Sequence, residues 1–351
     1  MRCSTMCLFS DAKDCSDRIH HDKMEQVRTR VIEKISDTFN AVAKHQAAWI
    51  EPDIQKDLGV ICEDLHITTA GTHQDKLSPV FFDPLGAHNV PSPHPTHDQG
   101  QKFVKEIFDN WDKPSPQPPT VTDQVYKLVD GIRDIFRTSR RDVMSETGRS
   151  LQLRTYANRI ECGNITPDLI AEEFDGLFWV SPMDQFNKPH ILLATFMKSE
   201  ANDTLSKYET MVMLTVMLTR LQSDNCPDHS IIPIMIISVF PGLKLRILEA
   251  HYDYRGLVVR KSDFLSFANK DSAISSMDIV MSFMCSKMTG NTTDMNIMMD
   301  PVAEVPPALS DNSSQESRSR EMESWSRGSL WRNVSHSIKT YISKIKNALN
   351  T

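Results

Sequence analysis

Asp175 and Lys198 are the two residues of this chain best placed to do chemistry together. Asp175 stands just ahead of a short apolar run at 177–181, Lys198 closes another at 191–198, and residues 183–189 between them read as a turn. If that turn centres near Phe186, paired positions sum to about 372, which sets Asp175 opposite Met197 and beside both Phe196 and Lys198. Side chains alternate along a strand, so Leu192, Ala194, Phe196 and Lys198 share one face. An acid facing a lysine at a strand end is the beginning of a hydrolytic metal site. There carboxylates hold a hard cation and an ammonium steadies developing charge. A second carboxylate belongs two residues before the lysine, and that residue is Phe196, whose ring offers no oxygen ligand. Other acids could stand in. Glu200 has the strand parity of Lys198 if the strand continues, and Glu209 lies early in the next helical run. Glu172 and Glu173 precede Asp175, and Glu173 is the upstream candidate for sharing a metal with it. Surface glutamates are common, so loss of the site is the simpler reading.

The elements that must position these residues follow from pattern. Residues 166–174 predict a short helix with Thr166 as cap, Pro167 in the first turn and Asp168 complementing the helix dipole. The spacing of Met211, Leu214, Met217, Leu218 and Leu221 predicts a helix over 205–222. An apolar strand follows at 231–240. After Pro241-Gly242 come strands at 244–252 and 256–260, joined by a turn near Asp253–Gly256. The class this implies is α/β: a mixed sheet flanked by helices.

This order of elements, with an acid on one strand and x-x-Lys ending the next, resembles the PD-(D/E)XK nuclease-like superfamily. That family places a helix, an antiparallel meander, a second helix and a fourth strand in this sequence. Residues 231–267 are also similar to the end of a group of uncharacterised proteins from filamentous fungi. The resemblance implies that Asp175 matches the first acid and Lys198 the lysine, with Phe196 standing where the second acid belongs. In a complete site the acids hold Mg²⁺ and the lysine assists the attacking water. The departure at Phe196 implies a degenerate domain that binds nucleic acid or protein without cutting. The alternative is an active Mg²⁺-dependent nuclease using Asp175, a migrated glutamate (Glu200 or Glu209) and Lys198.

The remaining chain is read more coarsely. Residues 1–22 read as a disordered lead and 23–120 as a helical, loop-rich N-terminal region. The α/β core spans 121–300, a disordered linker 301–329, and a basic amphipathic helix 330–351. Val27, Val31, Ile35, Phe39 and Val42 form one helical stripe, ended by Pro52. Residues 101–111 read as a short helix. A further helix starts near Thr122 as its cap and carries Val125, Leu128, Val129, Ile132, Ile135 and Phe136. It runs into six arginines between 137 and 159, read as a solvated face with a phosphate grip as the alternative. His88, His94 and His97 lie on a proline-stiffened run that spreads them apart, so an exposed loop is expected. In the C-terminal segment Leu330, Val334, Ile338, Tyr341, Ile345 and Leu349 recur at helical spacing among lysines. This face docks on the chain's own core, on a partner or on a membrane surface.

The totals narrow the class. A net charge of −7 argues against a nucleic-acid-coating protein, while leaving a local basic cleft open. Seven cysteines without a CxxC pair predict neither a disulfide framework nor a zinc ribbon. Charges following Cys7 and the lack of a long apolar run predict no secretory signal and no membrane-spanning helix, hence the nucleus or cytoplasm. No GxSxG, P-loop or GxGxxG occurs. Cys162 and Cys226 read as small buried hydrophobes, and His251 as a core histidine near Asp253.

Overall fold

The computed structural model describes residues 7–90, 98–113, 119–140, 177–182, 188–197, 199–222 and 226–299. Asp175, Glu172, Glu173, Lys198, the helix expected at 166–174, most of the arginine run and everything beyond residue 299 lie outside the described residues.

Helix α1 (Cys7–Lys44) opens the structure. It begins well before Lys23, where the apolar stripe starts. Residues 7–22 contain neither Pro nor Gly, and extending an existing helix adds a hydrogen bond for each residue fixed. Its stripe of Val31, Ile35, Phe39 and Val42 is buried. Strand β1 (Trp49–Ile50) follows, then the single turn α2 (Pro52–Gln55). Pro52 therefore starts a helical turn where the sequence suggested it ends one. A proline fits there because the first turn leaves its N–H groups unpaired anyway.

Strand β2 (Val60–Asp64) leads into a long segment holding β3 (Phe82–Asp83) and a short 3₁₀ turn at Ala87–Asn89. Helices α3 (Asp98–Asp109) and α4 (Val121–Arg140) come next. The cap of α4 is Thr120, not Thr122: its Oγ1 accepts from the Asp123 N–H at 3.2 Å, and Asp123 Oδ2 accepts from the Thr120 N–H at 2.9 Å. This reciprocal pair needs an acid three residues on, which Thr120 has and Thr122 lacks.

The central unit contains β4 (Leu177–Pro182), β5 (Ile191–Phe196), β6 (Leu205–Ser206) and α5 (Lys207–Gln222). It continues with β7 (Ile234–Phe240), β8 (Lys244–Asp253), β9 (Gly256–Lys261) and β10 (Leu265–Ser266). Helix α6 (Lys270–Met284) and β11 (Lys287–Met288) complete the described chain.

The main sheet has seven strands in the order β2-β9-β8-β7-β5-β4, with β10 paired to β8. β5 and β7 run parallel, with α5 between them in sequence. β2 and β9 are also parallel, and the other pairs are antiparallel. The class is α/β with a mixed sheet. Every residue of β5 and β7 is buried, which is why both read as apolar runs without alternation, interrupted only by Thr195 and Ser238. Helices α1 and α5 pack with Ile191, Leu193, Ile234 and Ile236 on one face. Helices α4 and α6 pack with Leu192, Ala194, Phe196, Met235 and Ile237 on the other. Helix α5 is buried almost all round from Glu209 to Leu218, since it lies between the sheet and α1; a single stripe understates it.

From the N-terminal region, β2 is a strand of the main sheet and α1 supplies part of its core. The free edge of β2 is blunted locally, where Gln55 Oε1 accepts from the Cys62 N–H at 3.3 Å. No helix of the described residues is long and apolar enough to cross a membrane.

Candidate functional site

The β4–β5 hairpin meets the expected count at the strand end and departs from it by one residue nearer the turn. Leu177 pairs with Thr195, and after a bulge Trp179 pairs with Ala194 and Pro182 with Ile191. On β5 the parity of Phe196 is that of Leu192 and Ala194, the face that α4 covers. Phe196 is 5% exposed. Its ring meets that of Tyr126 on α4, with centroids 5.7 Å apart and planes inclined by 51°. Tyr126 itself is 43% exposed. The position that a cation site would give to a carboxylate is thus packed with aromatic carbon.

The opposite face of the same strand ends is polar. Thr195 pairs with Ser238, and Ser238 pairs with Arg246, so the three form one row across β5, β7 and β8. All three are buried, and Thr195 and Ser238 share a hydroxyl hydrogen bond of 3.0 Å. Arg246 is completely buried and forks onto Glu209 in the first turn of α5. Its Nε donates to Oε1 at 3.0 Å and its Nη2 to Oε2. Nη1 donates to the Asn202 and Thr204 carbonyls at 2.9 and 3.1 Å, and Glu209 Oε2 also accepts from the Ser206 N–H at 3.0 Å. The Phe240 and Phe264 rings lie 5.1 and 5.4 Å from the guanidinium carbon. Glu209, a sequence candidate for a migrated metal ligand, is therefore spoken for at both oxygens. Glu200, the other migrated candidate, is exposed in the segment between β5 and β6. Asp175, Glu173 and Lys198 lie outside the described residues. Among the described residues no three His, Cys, Asp or Glu side chains form a metal-holding group.

A second polar cluster lies under the segment 66–90, on the α6 side of β8 and β9. Glu63, Arg260 and Glu249 are neighbours across β2, β9 and β8. His73 Nε2 lies 2.9 Å from Glu249 Oε1. Arg260 reaches Glu63 at 3.2 Å and donates to the Pro79 and Ser78 carbonyls at 2.6 and 2.9 Å. Ser282 on α6 donates to the Gly71 carbonyl and accepts from the Gly86 N–H. These groups clasp the segment onto the sheet. His251 is buried against the Phe81 ring, 3.5 Å from Asp253 Oδ2, as expected of a core histidine. Burial would raise the Asp253 carboxyl, but His251 and Arg255 outweigh it and hold the group below the usual range. His190 is buried against Phe82, with Nε2 3.0 Å from the Thr289 carbonyl. Burial depresses its imidazole to about 4.

Cys226 is buried and Cys62 half-buried, and burial raises both thiols, so neither has the lowered pKa of a nucleophile. Sequence reasoning missed the Arg246–Glu209 fork and the His73–Glu249 contact. Each joins residues far apart in the chain, so no local spacing signals it. The one clue was charge inside a strand: Arg246 and Glu249 stand among Leu245, Ile247, Leu248 and Ala250.

No family model, curated protein or solved structure matches this chain.

Proposed function

We propose that this chain carries a PD-(D/E)XK-like core whose metal site is incomplete, and that it acts by binding nucleic acid or a protein partner without cutting. The observation that carries this reading is the placement of Phe196. It sits on the face and at the strand end where the resemblance asks for a carboxylate, and α4 closes over it through Tyr126. The hairpin register, the helix that follows it and the parallel return strand β7 support the nuclease-like reading of the topology. In this reading Lys198 contacts phosphate.

One observation bears on the runner-up, an active Mg²⁺-dependent nuclease. With Glu209 engaged by Arg246, the migrated acid of such an enzyme is Glu200, which is exposed.

Fluorescence anisotropy with labelled single-stranded and duplex oligonucleotides tests the binding reading. Binding that weakens as salt rises, and weakens again in Lys198→Ala, is expected. Absence of binding to both probes at low salt removes the nucleic-acid arm and leaves a protein partner.

A further inference from the structure

The Arg246–Glu209 pair is an expensive way to join two elements. Both side chains are wholly buried, and taking two charges out of water costs several kcal/mol per ion before their attraction is counted. A well-packed apolar pair would hold α5 to β8 as well or better. The ionic pair does one thing that an apolar pair cannot. Nη1 of Arg246 binds the carbonyls of Asn202 and Thr204, and Glu209 binds the N–H of Ser206, so the pair grips the backbone that leaves β5. At its other end this backbone is fixed by the Met197 N–H, which donates to the Val239 carbonyl at 2.8 Å. Asn202 Oδ1 adds a local turn by accepting from the N–H and hydroxyl of Thr204. At Leu205 and Ser206 the chain pairs with Ile50 and Trp49 through β6. Between these anchors the chain carries Glu200 on the surface.

We propose that Arg246 is a positioning residue: its guanidinium, charged and oriented by Glu209, fixes the segment 199–206 at the strand end that meets the partner. The inference rests on the binding reading for its functional consequence. Arg246 touches no partner. It acts through the carbonyls it holds.

The test uses the full chain with Arg246→Met and Glu209→Leu combined, which fills the site with apolar volume, and Arg246→Lys, which keeps the charge and loses the fork. Three readouts separate a positioning role from a structural one: the urea midpoint, amide exchange across 199–206, and affinity for a single-stranded oligonucleotide. The expected result is a midpoint near that of the parent chain and exchange across 199–206 at least about tenfold faster, with β7 unchanged. Affinity should fall about tenfold, as in Lys198→Ala. Unchanged exchange across 199–206 in a folded variant overturns the proposal, as does faster exchange with full affinity. Should the double variant fail to fold, Arg246→Lys decides by the same criteria. If the parent chain binds no oligonucleotide, the nucleic-acid arm of that reading fails, and exchange alone decides whether Arg246 positions the segment.

Discussion

The rings of Phe196 and Tyr126 meet 5.7 Å apart, edge inclined to face, and join the end of β5 to the second turn of α4. Aromatic pairs at this separation add roughly 0.5–1.5 kcal/mol to what burial alone supplies. The contact makes Phe196 a core residue. Phe196→Ala should destabilise the fold by about 3–5 kcal/mol. Phe196→Glu should cost at least as much, because it buries an unpaired charge. Urea unfolding of the two variants checks this. A midpoint for Phe196→Glu equal to that of the parent would mean the site has room and solvent for a carboxylate.

Removing one member of the Arg246–Glu209 pair differs from removing both. Arg246→Ala or Glu209→Ala leaves a buried charge without its counter-ion and should cost about 3–5 kcal/mol. The two single losses should not add in the double variant, because they share one interaction. A double-mutant cycle from urea midpoints measures this. Additive losses would show that the residues stabilise the fold independently.

His190 makes stability depend on pH in a defined window. Its folded-state value, about 4, lies below the ordinary 6.5, because burial opposes the charged ring. Above about pH 6.5 the ring is neutral in both states and costs nothing. As pH falls from about 6.5 towards 4 the unfolded chain takes up a proton that the folded chain refuses, so stability declines. The loss levels off near about 3 kcal/mol below pH 4. His190→Gln retains a donor for the Thr289 carbonyl and does not titrate, so its stability should be flatter over that window. Urea midpoints at pH 4.5 and 7 compare the two. Equal slopes would remove His190 as the cause.

Two glycines at positive φ should respond differently to alanine. Gly242 has φ +76° and nothing within 4 Å of an added Cβ, so Gly242→Ala costs only backbone strain, about 1 kcal/mol. At Gly256 a Cβ would stand 2.3 Å from the Gly59 carbonyl oxygen, where β2 approaches the β8–β9 turn. Gly256→Ala must move backbone and should cost clearly more. Thermal unfolding of both variants tests this, and a smaller loss at Gly256 would contradict the close approach.

How much was legible in the sequence depends on how far apart the interacting residues are. Part of the β4–β5 register followed from one turn: Leu177 meets Thr195 as the count requires, while a bulge between Leu177 and Trp179 displaces the other pairs by one. Apolar runs such as 234–240 announced buried strands. The start of α1 was not legible, because residues 7–22 are rich in charged and polar residues. Strand β2 was missed because its residues, Val-Ile-Cys-Glu-Asp, lack alternation and pair with β9 almost 200 residues on. The aromatic ring at 196 was visible as a departure from a motif. That α4 lies over it depends on tertiary packing that no local pattern encodes.

In the proposed function this fold holds a partner without cutting it. Purified chain incubated with plasmid and single-stranded DNA and RNA in Mg²⁺ or Mn²⁺ is the direct measurement, beside Asp175→Ala, Lys198→Ala and Glu200→Ala. The parent chain should show no cleavage above the level of the three variants. Cleavage by the parent chain that disappears in both Asp175→Ala and Lys198→Ala would contradict it.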